Sequence, residues 1–380
     1  MNDDQITGLL QDLVRIPSVT PRGDPGTEAR NTGEKQMAEY LADFFRKLGL
    51  DVELQEVEPG RPNLIAKFAS RGGKRSLALA PHTDTVSVAG MTIDPFGGEI
   101  RDGRLFGRGA CDTKGSIASM MAAMANILPR RDFRAGDCDV YFCGLMGEEG
   151  GNDGARALME RGFRVDFAIA GEPTECRVVY THKGALWFKL ITRGQTAHGA
   201  MPDRGVNAIG KMAPVIGYLL GEYQEKLREL TNPALGSPTV NISIIRGGSQ
   251  INIVPAVCEI EVDRRTLPGE DHEKIQADLR RKFAALPIET AVIRDCVPLL
   301  TDPANPFIQK MAAAGTAAEP VLLSGAPWFC DAAIFAAHGV PAVGFGPGSA
   351  GPAHTPDEFI ELHHLFRATR ILERFLFSCV

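Results

Sequence analysis

The sequence predicts an α/β protein built on a mostly parallel sheet and interrupted by an inserted α+β domain. Three observations carry this reading. Short apolar runs without alternation recur in the first half and again near the end, as strands buried on both faces of a parallel sheet require. Stretches with apolar residues at helical spacing lie among them. Around Lys183 the texture changes to longer strand patterns, two of them alternating.

Taken in order, residues 32–48 place Met37, Ala38, Leu41, Phe44, Phe45 and Leu48 on one helical face, with Gly49 as a stop. Residues 77–80, 140–145 and 167–170 read as buried strands, and 113–128, rich in Ala and Met, reads as a helix between the first two. Beyond Lys183, residues 185–192, 239–245, 256–263 and 288–294 read as strands, with helices at 207–220 and 271–286. From Thr301 the α/β texture resumes, with an apolar run at 342–345 and a last helix at 362–377. The expected organisation is one domain formed by 1–182 and 297–380, split by an insert at 183–296.

Composition narrows the function classes. The chain has 380 residues, 44% hydrophobic and 23% charged, so it has enough apolar material for two or three folded domains. Acidic residues outnumber basic ones, 47 to 41, and the net charge of −6 gives no footprint for nucleic acid. No apolar stretch reaches the roughly 18 residues of a membrane span. The N-terminus, Met1-Asn2-Asp3-Asp4, is acidic where a secretory signal would be basic, which points to the cytoplasm. The eight cysteines are scattered without a C-x-x-C pair, as expected of buried, reduced thiols. Glycine and proline cluster just after the apolar runs, where α/β enzymes keep their chemistry.

Those strand ends carry a distinctive set of residues. They are Pro81-His82-Thr83-Asp84, Gly109-Ala110-Cys111-Asp112-Thr113-Lys114, Gly147-Glu148-Glu149-Gly150, Gly171-Glu172-Pro173-Thr174 and Pro352-Ala353-His354-Thr355-Pro356. Loops leaving the carboxyl ends of parallel strands converge on one crevice, so these groups can meet although they are distant in sequence. Each has an ordinary reading as well. Asp112 could cap a helix, Glu148 and Glu149 could form a solvated turn, and a lone histidine is usually structural. Their coincidence at strand ends beside Gly or Pro favours a site. Five carboxylates in one crevice would repel one another and take up protons unless a cation held them ionised. Two imidazoles with several carboxylates suit Zn²⁺ or a similar divalent ion, and there are enough donors for two.

The five segments, in this order, resemble the motifs of the M20 metallopeptidase and amidohydrolase family. Their wording is closest to the acetylornithine deacetylase and succinyl-diaminopimelate desuccinylase branch. The resemblance covers nearly the whole chain and implies a zinc-peptidase-like catalytic domain with an inserted lid or dimerisation domain. It implies two divalent metals, zinc first with cobalt or manganese as alternatives. One would be held by His82 and Glu172 and the other by Glu149 and His354, with Asp112 bridging. Asp84 would orient the His82 ring, and Glu148, beside a ligand without being one, would act as general base. Family members often have a cis peptide after the bridging aspartate, which here is Asp112–Thr113.

The insert has counterparts in the family too. Thr196-Ala197-His198-Gly199 resembles the segment whose histidine stabilises the oxyanion in a neighbouring subunit, implying a homodimer formed through the insert. Arg265 would clamp a substrate carboxylate and Asn252 would make a polar contact to substrate. Asp331, in Ser324-Gly325-Ala326-Pro327-Trp328-Phe329-Cys330-Asp331, lies where such enzymes shape the substrate pocket, and reads equally well as a turn residue. His182, His272, His338, His363 and His364 match no motif and read as structural or surface groups. The expected activity is hydrolysis of a small N-acyl amino acid, with a metallocarboxypeptidase or dipeptidase as the alternative. A non-catalytic binding protein of this fold would have lost ligands or the base, and none is missing here.

Overall fold

The computed structural model describes residues 1–22, 27–134, 136–286 and 288–379. The chain divides into two compact units. The first comprises Met1–Tyr180, Thr301–Ser324 and Cys330–Val380, and the second comprises Thr181–Leu300 with Gly325–Phe329.

In the first unit the strands Cys138–Gly144, Arg75–Pro81, Phe167–Gly171 and Ala342–Phe345 lie side by side and parallel. All but Cys138–Gly144 carry unbroken buried runs, which is why they show no alternation in the sequence. Asp51–Glu58 and Arg61–Phe68 extend the sheet antiparallel on one side. On the other side, Val179 of Val178–His182 pairs antiparallel with Gly344. The helices Asp3–Arg15, Gly115–Ile127 and Leu362–Ser378 pack together, and Asp153–Glu160 packs with Ala332–Ala337. Gly115–Ile127 is nearly all buried, consistent with its small and apolar residues.

Register sets the level of the loops. Pro81 pairs with Gly171, and Gly171 with Phe345, so His82, Glu172 and Gly346 follow at one edge. A bridge between His82 and Leu145 brings the end of Cys138–Gly144 to the same edge.

The second unit is a four-stranded antiparallel sheet in the order Thr239–Gly247, Val257–Thr266, Gly184–Arg193, Ile288–Cys296. Helices Ala208–Tyr218 and His272–Lys282 contribute Met212, Val215 and Leu279 to its own core, with Leu186, Phe188, Leu190, Ile260 and Val262 from the strands. Asp271 caps His272–Lys282 by accepting from the Glu273 and Lys274 amides. The mostly parallel sheet and the separate antiparallel sheet are the α/β and α+β textures that the sequence predicts. Elements additional to that reading include the helices Asp3–Arg15, Asp153–Glu160 and Ala332–Ala337 and the strands Asp51–Glu58, Arg61–Phe68 and Val178–His182.

Candidate metal centre

The site is assembled at the carboxyl edge of the parallel strands. His82 follows Arg75–Pro81 and is buried. Its Nδ1–H donates to the Asp84 carbonyl oxygen at 3.0 Å, which leaves the Nε2 lone pair directed away. That Nε2 lies 3.0 Å from Asp112 Oδ1. The second oxygen of Asp112 lies 3.3 Å from His354 Nε2, and the same nitrogen is 3.0 Å from Glu149 Oε1. One carboxylate thus stands between two imidazoles, one oxygen turned to each. His82, Asp112 and Glu149 present ligand atoms within 4.8 Å of one another.

Asp112 is positioned by its backbone. Glu358, wholly buried, accepts the amides of Cys111 and Asp112 on one oxygen at 3.0 Å each, and its other oxygen takes Arg108 Nη1 at 2.5 Å. Thr113 Oγ1 donates to the Gly171 carbonyl at 2.8 Å, tying this loop to the strand end that carries Glu172. The Asp112–Thr113 peptide is cis, as the family resemblance implies.

Glu148 and Glu149 open a one-turn helix, Glu148–Gly151, after Gly147 at φ +69°. The Asp84 carboxylate caps it, accepting the Glu148 amide at 3.0 Å and the Glu149 amide at 3.1 Å. Asp84 therefore meets His82 chiefly through its carbonyl, its carboxylate Oδ1 being 3.4 Å from Nδ1. The cap orients the pair of glutamates. Asn152, buried and at φ +61°, donates one side-chain N–H to Glu148 Oε1 at 3.1 Å and the other to Asp331 Oδ1 at 2.9 Å. Asp331 is buried in this network.

The electrostatics show what the cluster lacks. Burial raises Glu148, Glu149 and Glu172 above the ordinary carboxylate value, neighbouring acids add to this, and the histidines oppose it. Burial raises Asp112 too, but His354 and His82 outweigh it and hold this carboxylate low. His354 is pushed up to about 11 by Asp112 and Glu149. For His82 burial opposes the charge, yet Asp112 and Asp84 prevail and raise it. A cavity that stores protons on its acids and on its imidazoles is short of positive charge. Its two histidines and surrounding carboxylates are the donor set of zinc-like dications, so the residues present fit such ions.

The remaining candidates lie in the second unit. His198 is exposed and accepts the Ala200 amide on Nδ1 at 3.1 Å. When neutral, its proton is therefore on Nε2, which makes that nitrogen a donor. Asn252 is also exposed, its carbonyl accepting the Gly199 amide at 2.7 Å. Arg264 and Arg265 point to opposite faces of Val257–Thr266. Arg264 is buried against Glu270, whereas Arg265 is 25% exposed and grips Asp263 at 2.9 Å. Trp187 and Phe329 lie 5.9 and 5.7 Å from its guanidinium.

Glu358, Asn152 and Thr113 are functional supports that the sequence reading left without a role. Glu358 lies four residues beyond His354, past the end of that motif. Asn152 carried no signal beyond its place after a glycine pair.

Solved structures with this fold span nearly the whole chain. An aminopeptidase PepT from Bacillus cereus is 23% identical with a TM-score of 0.81, covering 100% of this chain and 99% of its own. A metallo-carboxypeptidase of the M20 family from Sulfolobus solfataricus is 21% identical with a TM-score of 0.80, covering 99% of each chain. A dinuclear metal-binding M20 peptidase from Bacillus subtilis is 16% identical with a TM-score of 0.72, covering 99% of this chain and 98% of its own. The sequence profile of peptidase family M20/M25/M40 matches residues 78–378, and the chain belongs to that family as a metal-dependent hydrolase of amide or peptide bonds.

Proposed function

We propose that this protein is a two-zinc amidohydrolase that removes the acyl group from a small N-acyl amino acid. The observation that carries the metal and base assignments is Asp112 between His82 and His354, with Glu148 held beside them. His82 and Glu172 would hold one ion, Glu149 and His354 the other, and Asp112 would bridge. Bound there, the ions would supply Lewis acidity toward an amide carbonyl and would lower the pKa of the attacking water. Cobalt or manganese would serve the same donor set.

Glu148 takes the proton of the attacking water. One of its oxygens accepts from Asn152, which orients the carboxylate. Its raised affinity for protons suits a group that must accept one and then return it to the departing nitrogen. His198, whose Nε2–H is free to donate, is assigned to the tetrahedral oxyanion of a neighbouring subunit, which makes the working form a homodimer. Arg265 is assigned to the substrate carboxylate and Asn252 to a polar contact. A bidentate fork already shaped around a carboxylate supports the role of Arg265. Asp331 supports Glu148 through Asn152, which fits a positioning role better than a contact to substrate.

A peptidyl substrate is the second reading. It is favoured by the similarity to proteins described as an aminopeptidase and a metallo-carboxypeptidase. The zinc-loaded enzyme should be assayed against N-acetyl and N-succinyl amino acids and dipeptides with basic, acidic and neutral side chains. Higher kcat/KM on the acylated amino acids is expected, and a preference for dipeptides would overturn the deacylase assignment. Glu148→Ala should retain both metals by elemental analysis while turnover falls by about 10²–10⁴-fold, and wild-type rates in that variant would sink the mechanism.

A further inference from the structure

We infer that Glu361, His363 and His364 form an additional binding site for a zinc-like dication, apart from the candidate catalytic centre. Their ligand atoms lie within 4.8 Å of one another. The local fold explains why. The strand Phe359–Glu361 runs directly into the helix Leu362–Ser378, so Glu361 sits at the junction and the two histidines in the first turn. His363 Nδ1 is 3.3 Å from Glu361 Oε2, and the two imidazole rings lie 4.2 Å apart between centroids. Bonds of about 2.0–2.2 Å to nitrogen and oxygen would draw these atoms together only modestly. His363, 68% exposed, has the freedom to make that adjustment.

The donor set is selective. Two imidazoles and one carboxylate suit Zn²⁺, Ni²⁺ or Cu²⁺, whereas Ca²⁺ and Mg²⁺ demand oxygen ligands. His364 and Glu361 also line a cavity of about 250 Å³, with Glu175 and Ser349 among its other walls. That space can take an ion with water in its open positions. Three groups oppose a cation here, among them Arg367, whose charge reaches His364. The positive end of the helix is another, and Glu361 with Glu175 counters it. Arg104, 3.4 Å from Glu361, is the third. Its guanidinium also stacks on Phe359 at 4.5 Å, a contact it keeps if Glu361 turns to an ion.

The test uses the full chain with its catalytic centre saturated with zinc, then dialysed against micromolar Zn²⁺ or Cu²⁺. Elemental analysis should find one more metal per chain in the wild type than in His363→Ala/His364→Ala. His82→Ala should lose metal from the catalytic centre and keep this extra equivalent. Because His363 is exposed, the single variant His363→Ala gives a second reading with the fold undisturbed. Copper bound at the site should show two nitrogen ligands by electron paramagnetic resonance. Equal stoichiometry in wild type and the double variant would overturn the inference, whatever the fate of the assigned hydrolase activity.

Discussion

Asn152 shows how little freedom the centre leaves a single side chain. Its two N–H groups are shared between Glu148 and Asp331, so an acceptor in its place would add a carboxylate to a site already crowded with them. Asn152→Asp keeps the shape and tolerates the positive φ, so it isolates this effect. It should lower kcat by roughly 10²-fold with KM and metal content little changed, read by steady-state kinetics alongside elemental analysis. Unchanged kcat would remove Asn152 from the account. Lys114 poses a different question, since it is a fully buried cation whose ammonium donates to the Ile16 carbonyl. Burial pulls it down from 10.5 to about 7. The unfolded chain keeps the proton up to about 10.5, so between pH 7 and 10.5 unfolding takes up a proton and stability rises with pH. Below pH 7 the full cost of burying the charge is felt, on the order of a few kcal/mol. Lys114→Met should therefore gain more stability over wild type at pH 6.5 than at pH 9.5, as measured by urea midpoints. A gain independent of pH would show that Lys114 titrates normally.

The turn from Met146 to Gly154 is held as a unit. Asn63, on Arg61–Phe68, accepts the Met146 amide at 3.0 Å and donates to the Gly154 carbonyl at 2.9 Å. Both glutamates of the centre sit inside this clamp. A Cβ at Gly154 would lie 2.4 Å from Asn63 Oδ1 and 2.5 Å from the Met146 carbonyl. Gly154→Ala must then push the turn away from the sheet, at a cost of about 1–3 kcal/mol. Metal affinity and turnover should fall together, measured by chelator competition and kinetics, whereas Asn152→Asp should affect turnover alone. If Gly154→Ala binds metal as tightly as wild type, the clamp does not position Glu149. A similar constraint operates at Gly346, where a Cβ would meet Ser116 Oγ at 2.1 Å. Close packing at strand ends is what makes these loops converge.

For the chain as a whole, two dications would move the formal charge from −6 to about −2. Their removal should be felt as a pH-dependent loss of stability. In the metal-free protein Glu148, Glu149 and Glu172 bind protons more tightly folded than unfolded, so stability falls as pH rises above about 4.5. The raised histidines act in the same direction. Their contribution is complete below about 6.5 and lost as pH climbs, for His354 toward about 11. The melting temperature of chelator-treated protein should thus decline from pH 5 to pH 8, and zinc should restore it most at the upper end. A flat profile without metal would contradict the charge shortage described for the centre. Among the described residues no helix is long and apolar enough to cross a membrane.

The sequence by itself determined the main strands and helices of both units and pointed to a metal-dependent hydrolase. Unalternating runs such as 77–80 and 167–170 read as doubly buried strands, and four polar residues directly beside Gly or Pro at strand ends, His82, Glu148, Glu149 and Glu172, pointed to a candidate centre. The exposed strand Asp51–Glu58 was not legible, because its acids and glutamine mask any apolar period. Nor were the supports of the site. Tertiary structure alone decided that Glu358 holds the Asp112 backbone, that Asp84 caps the turn bearing Glu148, and that Asn152 joins Glu148 to Asp331. It also brought Glu361, His363 and His364 together, with Glu361 and His364 lining a cavity, where the sequence showed only structural or surface histidines. The reason is physical. Strand and helix patterns are local consequences of burial, whereas a hydrogen bond between residues 246 positions apart exists only once the sheet has set its register.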